Sequence, residues 1–164
     1  MDLILDASAI LSGRLSSIPV GFGSVYITSL VAGEINKGRP YRILEHLLEI
    51  GLKVRDPGDI GPAINASSKT GDLDRLSNAD ISLIALAIEL DDATVMTDDF
   101  RVQNVLSSVD IQFLPAGEIG DRKVREIWEW TFRCRGCGRY FDEDPGPNCH
   151  ICGSMIGKTR KRSM

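Results

Sequence analysis

Two groups of residues in this chain could do chemistry. The more compact one comprises all four cysteines, arranged as Cys134-Arg-Gly-Cys137 and Cys149-His-Ile-Cys152. Tetrahedral zinc takes four thiolates, and a two-residue gap lets each pair grip the ion from one tight turn. Paired cysteines at this spacing signal a metal site rather than disulfides or free thiols. The neighbouring Gly136, Gly138 and Gly153 suit a backbone that bends back towards the metal, where a positive φ is often needed. One structural Zn²⁺ is expected. A ribbon this small buries too little apolar surface to fold unaided, so metal binding should supply on the order of 10 kcal/mol of its folding free energy.

The second group is acidic: Asp6, Glu34, Asp80, Asp98 and Asp99. Each has an ordinary reading. Asp6 and Asp98 could cap helices, Ser77-Asn78-Ala79-Asp80 has capping-box spacing, and Glu34 could be a solvated charge on a helix face. Gathered into one crevice with no basic partner, they would demand a cation, because two carboxylates about 4 Å apart repel by roughly 4 kcal/mol at an effective dielectric near 20. An all-oxygen donor set selects Mg²⁺ or Mn²⁺, which can activate a water and neutralise charge growing on a phosphoryl group. Phosphodiester hydrolysis is the reaction class this set suggests.

The elements that must position these acids alternate between strand and helix. Leu3 to Asp6 is a short apolar run followed by a helix from Ala7 to Leu11. Val25 to Thr28 is β-branched and precedes a helix from Ser29 to Asn36. Gly38 and Pro40 then punctuate the chain. A helix spans Tyr41 to Ile50 and closes at Gly51, and Leu52 to Val54 reads as a strand. Pro57 to Gly71 is more irregular, with a helix allowed over Ile60 to Ser68. The firmest helix, Ala79 to Leu90, is apolar nearly all round and must be buried. A strand at Ala93–Thr97, a helix at Asp99–Leu106 and a strand at Ile111–Leu114 complete the series. Such alternation implies an α/β fold with a parallel sheet covered by helices on both faces. The crevice beyond the carboxyl ends of the strands is where such folds work, and Asp6 and Asp98-Asp99 follow strand ends.

Composition divides the chain in two. Through Gly120 there are 9 Lys and Arg against 17 Asp and Glu, a net of −8; from Asp121 onward there are 10 against 6, a net of +4. The expected organisation is a first domain over 1–115, a linker over 116–126, a zinc ribbon over 127–157 and a basic tail over 158–164. With every cysteine assigned to metal, no disulfide framework suggests secretion. The first residues carry neither a basic leader nor an apolar run long enough for a bilayer. A cytoplasmic protein is expected, with no membrane partner.

The residues Ile4-Leu5-Asp6-Ala7-Ser8-Ala9, Glu34, Ser77-Asn78-Ala79-Asp80-Ile81-Ser82-Leu83-Ile84-Ala85-Leu86-Ala87 and Thr97-Asp98-Asp99-Phe100 resemble a PIN-domain nuclease. Thr70-Gly71-Asp72-Leu73, the run from Asp98 to Val105 and the appended four-cysteine ribbon narrow the resemblance to the Nin-one-binding protein family in an archaeal short form. The likeness covers nearly the whole chain. It implies a PIN-like three-layer α/β/α domain and a small β-rich zinc ribbon. The implied activity is a divalent-metal-dependent endoribonuclease that matures the 3′ end of small-subunit ribosomal RNA. Asp6, Glu34, Asp80 and one of Asp98 and Asp99 would hold Mn²⁺ or Mg²⁺, with Ser8 and Thr97 as polar support; the Thr-x-Asp pattern of other PIN domains selects Asp99. Precursor rRNA and the pre-ribosomal small subunit are the implied partners, with an assembly factor as a further one. The alternatives are a toxin-type PIN ribonuclease and a non-catalytic RNA-binding module of ribosome assembly.

The ribbon would supply substrate contacts. Arg133, Arg135, Arg139, Lys158, Arg160, Lys161 and Arg162 can meet phosphate, and Tyr140 could stack a base, whereas Phe141 is expected inside the ribbon. Trp128, Trp130 and Phe132 alternate and read as a packing seam rather than a binding platform. Neither His46 nor His150 has a ligand set to join.

Overall fold

The computed structural model describes residues 1–116 and 128–162, with side chains over 1–116 and 131–159. The chain divides into two compact units, Met1–Asp121 and Arg122–Met164. Of the expected linker, only Ala116 lies among the described residues.

The first unit runs β1 (Asp2–Leu5), α1 (Ala7–Leu11), β2 (Val25–Ile27), α2 (Ser29–Glu34), α3 (Gly38–Ile50), β3 (Lys53–Val54) and α4 (Gly61–Thr70). A single 3₁₀ turn at Leu73–Arg75, α5 (Asn78–Glu89), β4 (Ala93–Met96), α6 (Phe100–Ser108) and β5 (Gln112–Leu114) follow. The five strands are all parallel in the order β3-β2-β1-β4-β5. From β1 the chain steps outward through β2 to β3, then returns to β4 and β5 on the other side. Right-handed crossovers running in opposite directions place helices on opposite faces. Accordingly α1 meets α3, whereas α4, α5 and α6 meet one another; α2 meets both α1 and α5. This is the three-layer α/β/α arrangement, and its switch point lies between β1 and β4.

The middle strands are hydrophobic because both their faces are covered: Leu3, Ile4, Leu5, Val95 and Met96 are fully buried. Every residue of α5 from Ile81 to Ala87 is buried as well. Its one interior hydroxyl, Ser82, donates to the Ala79 carbonyl oxygen at 2.7 Å and lies 2.8 Å from Thr28 Oγ1. Thr28 caps α2 through the Val31 N–H, so this buried pair fixes α2 against α5.

Two helices differ from the sequence expectation. α3 begins at Gly38, not Tyr41, because Pro40 falls in its first turn, where a missing N–H costs nothing. In the segment read as more irregular, the helix allowed over Ile60 to Ser68 is present as α4, running on to Thr70, with Pro62 likewise in the first turn and Gly71 as a left-handed cap at φ 79°.

The second unit is a three-stranded antiparallel sheet in the order β7-β6-β8, built from β6 (Trp128–Cys134), β7 (Tyr140–Phe141) and β8 (Ile156–Arg162). The expected basic tail over 158–164 is therefore corrected. Residues 158–162 are the body of β8, paired along their length with β6 from Trp128↔Arg162 to Cys134↔Ile156. The run shows no apolar alternation, so only its long-range pairing marks it as a strand. Among the described residues, no helix is long and apolar enough to cross a membrane.

Leu86 is wholly buried in α5. Leu86→Ala should lower the unfolding free energy of the first unit by about 2–5 kcal/mol, read as a shifted urea midpoint with an unchanged circular-dichroism spectrum.

Candidate active site and cysteine cluster

The switch point carries a tight hydrogen-bond network centred on Asp6, which is only 6% exposed. The Asp6 N–H donates to the Met96 carbonyl at 3.0 Å, continuing the β1–β4 pairing one residue beyond the strands. Its Oδ1 caps α1 by accepting the Ala7 N–H at 2.7 Å. Its Oδ2 accepts two hydroxyls, from Thr97 at 2.6 Å and Ser8 at 3.1 Å. Each hydroxyl in turn accepts a backbone donor from the loop after β4: Thr97 Oγ1 takes the Asp99 N–H and Ser8 Oγ takes the Asp98 N–H, both at 3.1 Å. The loop is thus stitched to Asp6 from both sides. Gln103 adds a support by donating its amide to the Thr97 carbonyl at 2.9 Å.

Asp80 stands at the start of α5 in a complete capping box: its Oδ2 accepts the Ser77 N–H at 2.8 Å, and its own N–H donates to Ser77 Oγ at 3.1 Å. The capping reading is correct, yet the same bonds fix the carboxylate beside the switch point. Burial pushes the Asp6 carboxyl above its usual range; donation from Thr97, Ala7 and Ser8 pulls it partly back, and the charge of Asp80 raises it further. Glu34, at the last position of α2 and largely exposed, is raised too, by partial burial of its carboxyl and then by the charges of Asp80 and Asp6. Asp6, Glu34 and Asp80 therefore share one electrostatic field. Their oxygens do not close into a compact ligand group: among the described residues only the cysteines do.

The adjacent aspartates part company. Asp99, half-buried, is the N-cap of α6, and its Oδ1 accepts the Arg101 N–H at 2.7 Å. Asp98 is exposed, and its Oδ1 is committed to the Ala116 N–H at 2.8 Å. The helix expected to be capped by Asp98 is capped by Asp99. Phe100, the next residue, is 83% exposed, a cost for so large a ring that its place beside the acids makes notable.

In the second unit the four sulfurs lie within 4.8 Å of one another. Cys134 and Cys152 are 3.3 Å apart, and Cys137 and Cys149 are 3.8 Å apart. Four thiolates on zinc at about 2.3 Å would stand about 3.8 Å from each other, so the set fits a tetrahedral metal. The two knuckles share one hydrogen-bond pattern. The Cys134 N–H donates to the Arg139 carbonyl and the Gly138 N–H to the Cys134 carbonyl; Cys149 with Ser154 and Gly153 with Cys149 repeat this. Gly138 and Gly153 take positive φ, 73° and 75°. Gly136 does not: it is required because a Cβ there would collide with the Ser154 side chain and approach Cys152 Sγ to 3.2 Å.

Arg133, Arg135 and Lys158 line a concave surface of about 540 Å³ beside the first knuckle. Gly157 opens it, since a Cβ there would sit 3.4 Å from the Arg135 guanidinium. Arg139 is exposed at the turn, whereas the side chains of Arg160, Lys161 and Arg162 lie outside those described. Arg133 lies over the ring of its cross-strand neighbour Tyr140 at 5.3 Å. Phe141 is half-buried with its ring at 5.4 Å from that of His150.

Comparison with known proteins agrees with this architecture. Residues 3–90 match the family described as the PIN domain of ribonuclease. The chain is 37% identical to the endoribonuclease Nob1 of Methanothermobacter thermautotrophicus, across 99% of this chain and 95% of that one. It is 34% identical to the endoribonuclease Nob1 of Pyrococcus abyssi, across 95% and 92%. It is also 35% identical to the ribonuclease VapC1 of Thermoplasma acidophilum, across 100% and 82%. The chain belongs to the PIN-domain ribonuclease family, as a Nob1-type member with a four-cysteine ribbon.

Because Asp6 and Glu34 titrate above their ordinary values in the folded state, the native protein binds more protons than the unfolded chain between the ordinary and the raised values. Without added divalent cation, the stability that these two groups contribute should be fully present below the ordinary carboxylate range and be lost as pH rises through that window. Thermal melts against pH should show this slope, and Asp6→Asn should flatten it.

Proposed function

We propose that this chain is a divalent-metal-dependent endoribonuclease that matures the 3′ end of small-subunit ribosomal RNA, acting in the cytoplasm on the pre-ribosomal particle. The observation that carries the reading is the near-complete burial of Asp6 at the switch point, under two hydroxyl donors and in the field of Asp80 and Glu34. Family membership and the Nob1 relatives support the substrate class. Asp6, Asp80 and Asp99 would hold Mn²⁺ or Mg²⁺, with Glu34 holding or orienting the ion or its water. Asp99 is favoured over Asp98 by the Thr-x-Asp pattern and because it is half-buried, while Asp98 is exposed.

When bound, the cation supplies activation of a water and neutralisation of charge on the phosphoryl group. The chain's own residues do the rest. Ser8 and Thr97 hold the Asp6 carboxylate in one orientation. The capping box does the same for Asp80. Phe100 offers a face on which a base next to the scissile phosphate can stack. Attack by water rather than by the neighbouring 2′-hydroxyl leaves a 3′-hydroxyl and a 5′-phosphate.

In the ribbon, Cys134, Cys137, Cys149 and Cys152 would hold one Zn²⁺, and Arg133, Arg135, Arg139 and Lys158 would engage RNA phosphates together with Arg160, Lys161 and Arg162. A toxin-type ribonuclease is the second reading, carried by the likeness to VapC1. Cleavage of precursor rRNA at one defined site supports the first; indifferent cutting of unrelated RNAs supports the second.

Asp6→Asn and Asp80→Asn each keep a side-chain oxygen for the cap while removing the charge. Either should lower the cleavage rate of an rRNA-derived oligonucleotide by more than about 100-fold while leaving RNA binding and zinc content unchanged. Wild-type rates in both variants would refute the carboxylate mechanism and leave a binding module.

A further inference from the structure

A line of buried hydroxyls joins two of the helices that carry the acids. Thr28 stands one position beyond β2, as Asp6 stands one beyond β1 and Thr97 one beyond β4. Thr28 is fully buried, Ser82 is 4% exposed, and their hydroxyl oxygens are 2.8 Å apart. Proton count fixes the direction of this bond, because a hydroxyl has one proton to donate. Ser82 donates its own to the Ala79 carbonyl at 2.7 Å, so the proton between the two side chains belongs to Thr28. Thr28 Oγ1 in turn accepts the Val31 N–H at 3.3 Å. One continuous chain therefore runs from the first turn of α2, through Thr28 and Ser82, into the first turn of α5.

The chain ends on the peptide group that carries Asp80. The Ala79 carbonyl and the Asp80 N–H belong to one planar unit, and the Asp80 N–H donates to Ser77 Oγ at 3.1 Å. Hydroxyls thus hold that unit at both ends. The Ser77 bond is local capping, whereas the Ser82 bond transmits the position of α2. At its other end α2 carries Glu34.

Stability does not require hydroxyls here. The residues of α5 from Ile81 to Ala87 are all buried, and replacing both members of a buried hydrogen-bonded pair by apolar groups of matching shape is nearly neutral. An apolar pair would lack direction, because hydrophobic packing is non-directional. The need for direction comes from charge. Burial and then the charge of Asp80 raise the Glu34 carboxyl, so without a cation the two carboxylates push α2 and the start of α5 apart.

We infer that the Thr28–Ser82 hydroxyl pair is a positioning device that sets Glu34 of α2 against Asp80 of α5, and through them sets the affinity of the acidic crevice for its divalent cation. This rests on the nuclease reading for the cation and adds two residues to those on which the site depends. Neither hydroxyl is a ligand, since the protons and acceptors of both are committed within the chain.

The test measures Mn²⁺ binding to the zinc-loaded full chain, by loss of the electron paramagnetic resonance signal of free Mn²⁺, beside cleavage of an rRNA-derived oligonucleotide and thermal melts. Ser82→Ala removes the link to Ala79 and leaves the Thr28 cap of α2 in place. It should weaken Mn²⁺ binding by about 10-fold or more, raise the Mn²⁺ concentration for half-maximal cleavage to match, and leave KM for RNA unchanged. Thr28→Val severs the chain from the other side and should reproduce that loss. Thr28→Ser keeps the hydroxyl but drops a buried methyl, and Leu86→Ala opens a cavity one turn further along α5. Both should lower the melting midpoint yet bind Mn²⁺ as wild type does. Wild-type Mn²⁺ affinity in Ser82→Ala or Thr28→Val overturns the positioning role, as does an affinity that merely follows the melting midpoint across the four variants. A wild-type chain that binds Mn²⁺ more tightly than Ser82→Ala but cuts no RNA defeats the nuclease reading alone. Cutting with unaltered metal dependence in Ser82→Ala defeats the positioning alone, and a wild-type chain that binds no Mn²⁺ overturns both.

Discussion

A carboxylate with almost no access to solvent is the constraint around which the first unit is organised. Burial of Asp6 disfavours its charge, and two hydroxyls with one backbone N–H offset part of that cost. The donors come from both sides of the switch point, Ala7 and Ser8 after β1 and Thr97 after β4. The same hydroxyls accept the backbone of the loop holding Asp99, so satisfying one acid places another. Asp80 and Glu34 oppose the charge rather than relieve it. Such an arrangement lowers stability, and opposed like charges of this kind cluster at functional sites.

The two units offer different donor chemistry. Carboxylate and hydroxyl oxygens suit hard cations; four thiolates suit zinc. The cysteine knuckles are also built differently from the acidic crevice. Their geometry is local, each defined by a turn of five or six residues closed by matching backbone bonds, whereas the acids come from four helices or loops spread over more than half the chain. A chelating quartet can hold a ribbon that lacks a core, while the acids must borrow their order from the buried α5 and the central strands.

Much of this was legible from the residues. Leu3–Leu5 is a continuous apolar run and Ala93–Met96 nearly one because their strands are covered on both faces, and Ile81–Ala87 is apolar nearly all round for the same reason. The cysteine spacing and the acids at strand ends could be read directly. What escaped depended on partners distant in sequence. Pro40 looked like a break, though in a first turn it is harmless. Residues 158–162 looked like a solvated tail, because nothing in Lys-Thr-Arg-Lys-Arg reveals the strand opposite. Gly136 was read for its backbone freedom, but the reason for it is the nearness of Ser154 and Cys152. Ser82 carried a usable signal: a hydroxyl inside an apolar helix must find a partner, and Thr28 is that partner. Whether Asp98 or Asp99 faces the crevice could not be read, since neighbours differ only in where the loop turns them.

The bond from Thr97 to Asp6 joins residues 91 positions apart in the chain, and it has a bearing on how the protein is made. Strands β1 to β3 and helices α1 to α5 leave the ribosome before the second wall of the crevice exists. Contacts between such distant residues form late and slowly compared with local ones. A partly synthesised chain consequently carries Asp6 without the Thr97 hydroxyl that orders its carboxylate. The full set of donors around Asp6 exists only once β4 has paired with β1.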